Sequence, residues 1–131
     1  METILLVDDN ALILETLTLV MKAGLRNAAI RTARNGSDAI GILKSSPVDL
    51  ILTDINMPVM DGYHLVEYRN RHCPGVPVLV MTAEMSPEVT KRLKSLGITG
   101  YLEKPFEADT LTSLVLDSLH LPVPAGPGVA S

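Results

Sequence analysis

The stretch Val48–Gly62, VDLILTDINMPVMDG, decides how the rest of the chain is read. From Val48 to Leu52 it is apolar except for Asp49, and the run stops at a carboxylate, Asp54. A short continuous run of Val, Ile and Leu predicts a strand buried on both faces. Such strands belong to parallel sheets, and open parallel sheets bind ligands at the carboxyl ends of their strands. The pattern therefore puts Asp54 on the rim where chemistry is done. A loop with Pro58 and a turn signal, Asp61-Gly62, close the stretch.

Working back toward the N-terminus, Ile4–Val7 predicts a second buried strand, ending at Asp8-Asp9. Asn10 can cap a helix over Ala11–Ala23, with Gly24 as its stop. Ala28–Ala33 reads as a strand, Asn35-Gly36 as a turn and Ser37–Lys44 as a short helix. Working forward, Tyr63–Arg71 is a helix broken by Cys73-Pro74-Gly75, and Pro77–Met81 is a strand ending at Thr82. Ser86-Pro87-Glu88 supplies a cap, a proline at the first position and an acid in the first turn, so it opens a helix that Gly97 ends. Ile98–Leu102 is the last strand, followed by Glu103-Lys104-Pro105. Phe106–His120 carries Leu111, Leu114, Val115 and Leu119 at helical spacing. Five strands alternating with five helices over short loops imply right-handed crossovers and a five-stranded parallel sheet covered on both sides, an α/β/α arrangement in three layers. Residues 1–120 form the expected domain. Leu121–Ser131 holds Pro122, Pro124 and Pro127 and reads as a Pro/Gly-rich linker or disordered tail.

The chain has 131 residues, enough for one core, and its 47% hydrophobic and 20% charged content is globular. A net charge of −4 argues against nucleic-acid binding by this domain. The single cysteine, Cys73, cannot form an internal disulfide and asks for no oxidising compartment. No stretch is apolar for long enough to span a bilayer, and METILLVDDN has no basic segment ahead of its apolar run, as a signal peptide would. The expectation is a cytoplasmic domain without a membrane partner.

The ends of the strands carry the chemistry: Asp8 and Asp9, Asp54, Thr82 and, just past the last strand, Lys104. In a parallel sheet these ends share one rim. Clustered carboxylates repel one another and stay ionised only if a cation joins them, and a hard divalent ion, magnesium above all, suits oxygen ligands. Lys104 supplies a second positive charge and Thr82 a hydroxyl, both expected at the solvent rim. Metal, ammonium and hydroxyl together are what a transferring phosphoryl group needs around its oxygens, with Asp54 as the nucleophile.

Two other chemistries fit less well. A flavin site in such a sheet needs a Ser/Thr/Gly-rich phosphate loop after the first strand, whereas Asp8-Asp9-Asn10 would repel phosphate without a metal. A small hydrolase or phosphatase with an aspartyl nucleophile wants a second carboxylate two residues on; Asn56 stands there and cannot transfer a proton. A persistent phosphorylated state follows, which suits a switch better than an enzyme of rapid turnover.

The pieces LLVDDN, TDINMPVMDG, VLVMTAE and YLEKPF, in this order and spacing, make the chain resemble a response-regulator receiver domain of two-component signalling, of the chemotaxis-regulator type, over about Glu2–His120. The resemblance implies a flavodoxin-like doubly wound fold. It implies transfer of a phosphoryl group from the phosphohistidine of a sensor histidine kinase or phosphotransfer protein onto Asp54. Asp9 and Asp54 would bind Mg2+ directly, Asp8 through water and Asn56 through its backbone carbonyl. Lys104 would contact the phosphate, and Thr82 and Tyr101 would form the switch pair. Such a domain is a binding switch that catalyses only its own phosphoryl transfer and dephosphorylation, although a pseudo-receiver scaffold that takes no phosphate shares the outline. Lys91, Arg92 and Lys94 on the fourth helix, beside Glu103, Glu107 and Asp109 on the fifth strand and helix, suggest a homodimer across that face.

Overall fold

The computed structural model describes residues 2–120, so the expected linker at 121–131 lies outside the described residues. In chain order the elements are β1 (Glu2–Val7), α1 (Ala11–Gly24), β2 (Ala28–Ala33), α2 (Gly36–Ser45), β3 (Leu50–Asp54), α3 (Gly62–His72), β4 (Val78–Thr82), α4 (Pro87–Ser95), β5 (Gly100–Glu103) and α5 (Ala108–His120). The strands form one sheet in the order β2-β1-β3-β4-β5, every pair parallel. This is the parallel three-layer arrangement expected from the alternation, and the doubly wound, flavodoxin-like fold that the family resemblance implies. The chain leaves β1 toward β2, then crosses back to β3, and the crevice at that reversal opens at the carboxyl ends of β1 and β3.

Successive strand side chains point to opposite faces, and the core divides accordingly. Ile4, Leu6, Leu50, Leu52, Leu79 and Met81 face α1 and α5, where Leu14, Leu17, Met21, Leu111 and Val115 meet them. Leu5, Val7, Ile51, Val78 and Val80 face the other layer and pack on Ala39, Leu65, Val66 and Leu93 of α2, α3 and α4. Burial on both faces is what an unbroken aliphatic run in β3 required. Four helices are capped at the sheet's carboxyl rim. Asn10 accepts from the Leu12 and Ile13 N–H groups, Asn35 from Asp38, Asp61 from His64, and Ser86 from Val89. The positive ends of their helix dipoles thus gather on the acidic rim, where they favour anionic groups.

Three strands end one or two residues later than their apolar patterns. β3 runs through Asp54, β4 through Thr82 and β5 through Glu103. The parallel register continues there, Asp54 opposite Met81 and Thr82 opposite Glu103, because backbone pairing is indifferent to side-chain polarity. The chemistry-bearing residues are therefore the last rungs of the ladder, fixed by the sheet. Two expected turns are helix starts instead: Asn35 and Asp61 are caps, and Gly36 and Gly62 are first helical residues. Gly24 ends α1 from inside; a Cβ there would lie 2.6 Å from the Thr112 side chain, so this glycine lets α5 approach. At the other end of the core, α5 begins at Ala108 and not at Phe106.

Candidate functional site

Asp8 follows the last residue of β1 and is 1% exposed. Its Oδ1 accepts the Asn10 N–H at 2.9 Å, and its Oδ2 accepts Lys104 Nζ at 3.0 Å. Asp54, at the end of neighbouring β3, accepts its successor's N–H, Ile55, on Oδ1 at 2.7 Å and the same Lys104 Nζ on Oδ2 at 3.1 Å. Lys104 reaches both because its backbone extends the β4–β5 ladder, its N–H donating to the Thr82 carbonyl at 2.8 Å. Asp9 is exposed beside them, and Asp8, Asp9 and Asp54 can each place one oxygen within 4.8 Å of the others. The fold thus gathers four of the residues expected from sequence.

One ammonium shared by two carboxylates cannot satisfy both. Burial raises the pKa of Asp54, the Asp8 charge adds to this, and the hydrogen bonds from Lys104 and Ile55 with the Lys104 charge only partly offset it. For Lys104, burial alone would lower the pKa, but the hydrogen bonds and charges of Asp8 and Asp54 outweigh it and the ammonium is held above its usual value. The lysine is stabilised while Asp54 remains under-neutralised. That is the electrostatic condition a hard divalent cation relieves. Three carboxylate oxygens, one set partly open to solvent, are the donor set such an ion prefers. The residues present fit magnesium.

Thr82 departs from the expectation of a solvent-rim hydroxyl: it is 1% exposed. Its Oγ1 accepts the Glu84 N–H at 3.1 Å, which leaves the hydroxyl's own proton for another acceptor. Tyr101 lies on β5 opposite Val80, 39% exposed, two rungs before Thr82's partner Glu103. The two expected switch residues therefore occupy adjacent strands, one buried and one at the surface. Asn56 is exposed in the β3–α3 loop, and among the described residues no hydrogen bond involves its side chain.

Two supports of Asp54 had no signal in the sequence reading. Thr53 Oγ1 donates to the Asp54 carbonyl at 2.8 Å inside the core. Gly62 donates its N–H to the Ile55 carbonyl at 2.7 Å, and a Cβ on it would run into the Asp54 carbonyl oxygen. The glycine of the Asp61-Gly62 pair is there for this close approach. The expected basic face of α4 also divides. Lys91 and Lys94 line a groove of about 610 Å³ with Met85, Thr90 and Glu103, whereas Arg92 turns to the other side and lies 3.7 Å above the Tyr63 ring of α3.

Comparison with known proteins agrees with this architecture. The sequence model of the response regulator receiver domain matches residues 4–116. The chain is 31% identical over 122 residues to the transcriptional regulatory protein GlrR of Escherichia coli K12, covering 93% of this chain and 27% of GlrR. It is 33% identical over 108 residues to the sensor histidine kinase RcsC of Salmonella typhimurium, covering 82% of this chain and 11% of RcsC. It therefore spans only a minor part of either relative. The solved structure of the chemotaxis response regulator CheY4 of Vibrio cholerae superposes with a TM-score of 0.83 at 31% identity, over 91% of this chain and 99% of that one. Among the described residues no helix is long and apolar enough to cross a membrane. With its 2-1-3-4-5 parallel sheet and an acidic rim closed by one lysine, the chain belongs to the response regulator receiver domain family, the signal-accepting modules of two-component systems.

Proposed function

We propose that this domain is a phosphorylation-dependent switch that takes a phosphoryl group from a histidine kinase or phosphotransfer protein onto Asp54. The observation that carries the reading is Lys104 Nζ bonded at once to Asp8 and Asp54 on the sheet's rim. An Asp54 carboxylate oxygen attacks phosphorus, the P–N bond to the donor imidazole breaks, and the imidazole leaves with its electron pair and takes up a proton. Burial of Asp54 strips water from the nucleophile and strengthens each nearby charge interaction. Asp8, Asp9 and Asp54, with the Asn56 backbone carbonyl, would hold Mg2+, which supplies positive charge against the phosphoryl oxygens. Lys104 exchanges its bond to Asp54 for one to the phosphoryl group. The Thr82 hydroxyl donates to another oxygen, and Tyr101 follows the movement on the neighbouring strand. Residues 1–120 form the receiver, acting in the cytoplasm and catalysing only its own phosphorylation and dephosphorylation.

Acetyl phosphate with magnesium should add one phosphoryl group by intact-mass spectrometry, and Asp54→Asn should abolish it. Equal labelling of the variant overturns the assignment. Steady turnover of a phosphomonoester would instead favour a phosphatase.

Phosphorylation is further proposed to favour a homodimer across α4, β5 and α5. Lys91 and Lys94 beside Glu103 offer both charge signs to a second copy about a twofold axis. Beryllofluoride should raise the mass by light scattering and Lys91→Glu should suppress the rise; a monomer throughout rejects the dimer.

A further inference from the structure

We propose that Arg34 is a positioning residue for Asp9, holding it in place for the cation site; the inference rests on the magnesium reading above. Asp9 is the one carboxylate of the three that Lys104 does not bond. It sits in the β1–α1 loop, outside the sheet ladder, and is exposed. A side chain so placed has no packing to fix its direction, so its backbone must do so.

The peptide between Asp9 and Asn10 is clamped on both edges. On one edge the Asn10 N–H donates to Asp8 Oδ1 at 2.9 Å. On the other edge the Asp9 carbonyl accepts two bonds from one guanidinium, Arg34 Nε at 3.0 Å and its NH2 group at 2.7 Å. One peptide further back, the Val7–Asp8 unit is tied to β2, the Asp8 N–H donating to the Ala33 carbonyl at 3.1 Å. A peptide unit is planar and rigid, so holding the Asp9–Asn10 plane on both edges, with the chain anchored to β2 at Asp8, leaves Asp9 a short span between two fixed units and narrows the directions open to its Cα–Cβ bond. Arg34 follows β2 directly, so the strand's end aims the fork. The fork needs two donors in one plane, which arginine has and lysine lacks. Arg34 is exposed, so its removal leaves the core intact. It also sets a positive charge beside three negative ones, and the two effects can be separated by substitution.

The experiment titrates the 15N-labelled chain of 131 residues with MgCl2 and reads the amide shifts of Asp9, Asn10 and Ile55, for the parent, Arg34→Ala and Arg34→Lys. Both variants should raise the dissociation constant for magnesium about fivefold, the order expected when one charge-assisted hydrogen bond is lost at an exposed position. Before any metal is added, the Asn10 amide signal should broaden or shift in both variants while signals of β3 and β4 stay in place. Parental affinity in both variants overturns the proposal. Loss in Arg34→Ala with full rescue in Arg34→Lys also overturns it, because a single cationic donor would then suffice in place of the fork. If the parent itself shows no magnesium-dependent shifts, the metal reading fails and the proposal falls with it, a result separate from a failure of the fork.

Discussion

Gly62→Ala tests whether backbone contact positions Asp54. Gly62 has no left-handed φ, so the substitution brings no conformational strain of its own. What it brings is a methyl group aimed at the Asp54 carbonyl oxygen, with Ile55 Cα at 2.9 Å. Both obstacles are backbone, and the first belongs to the last rung of β3, so neither yields as a flexible side chain would. Forced overpacking of this kind costs about 1–3 kcal/mol. Alanine's better helix propensity returns less than about 1 kcal/mol, since Gly62 is the first residue of α3. A net loss of about 1.5 kcal/mol remains. With an unfolding entropy of about 0.25 kcal/mol/K for some 120 residues, the melting midpoint should fall by about 6 °C. The displaced carbonyl carries Asp54 with it, so the rate of labelling by acetyl phosphate should fall at least tenfold although Gly62 touches no reactant; a 1 Å displacement can cost about a hundredfold. Gly41→Ala is the control. It lies within α2, where an added Cβ meets nothing within 4 Å, so it should gain about 0.5–1 kcal/mol and leave labelling unchanged. Calorimetry and timed intact-mass measurements on both variants decide the matter. Equal melting shifts for the two glycines, or normal labelling in Gly62→Ala, would show that the close approach does not position the nucleophile.

Other perturbations follow from the same geometry. Magnesium at 100 times its dissociation constant should add about 2.7 kcal/mol and so raise the melting midpoint by about 11 °C; Asp9→Asn should shrink the rise, and a melt insensitive to magnesium would deny the carboxylates a common site. Val59 has φ 69° and is 84% exposed, a β-branched residue in the left-handed region with no burial to lose, so Val59→Gly should stabilise by about 1 kcal/mol; a lowered denaturation midpoint would disprove the strain. Because the Asp54 pKa is raised above 3.8 in the fold, its contribution is fully present below that pH and is lost as pH rises through the folded pKa. Without metal, Asp54→Asn should therefore gain on the parent between acid and neutral pH in denaturant titrations, and a gap that closes on raising the pH contradicts the sign.

What could be read from sequence and what could not differ in physical kind. β3 was legible because burial on both faces leaves an unbroken aliphatic run, and Asp8, Asp54 and Lys104 because strand ends in a parallel sheet converge. The strand limits were not, since Asp54 and Thr82 pair through their backbones and hide that pairing behind polar side chains. Thr82 at a strand end read as exposed, yet it is buried. Arg69 shows the largest gap. No sequence signal marked its role: it is only 6% exposed, its Nε donating to the Val76 carbonyl at 2.8 Å and its NH1 group to the Gly97 carbonyl at 3.2 Å. Asn70 bonds the Leu96 carbonyl beside it, so the two residues tie the end of α3 to the end of α4. Nothing in local periodicity announces a carbonyl cage built from segments up to 28 residues away. Arg92 was misplaced by adjacency in sequence: two residues from Lys94 it falls on nearly the opposite face of the helix, where it meets the Tyr63 ring.

In the proposed switch, the electrostatics of the rim give Lys104 its part. Lys104 is stabilised by two carboxylates, while Asp54 receives only part of one ammonium and stays penalised by burial. A phosphoryl group on Asp54 moves about two negative charges outward from that carboxylate. Lys104 then faces a stronger acceptor on one side and Asp8 on the other. Its backbone is bonded to the Thr82 carbonyl, so a shift of the ammonium is passed to the β4–β5 rung. Tyr101 lies three residues earlier on that strand and is already partly in solvent, free to change its exposure without opening the core. On the proposed function, shared neutralisation would make the lysine's position sensitive to charge at Asp54, and the sheet's last rungs would carry that sensitivity to the surface between α4 and α5. Lys104→Met should therefore uncouple the two: phosphorylated variant protein would keep its unphosphorylated NMR shifts around Tyr101, and a full wild-type change there would break this chain of reasoning.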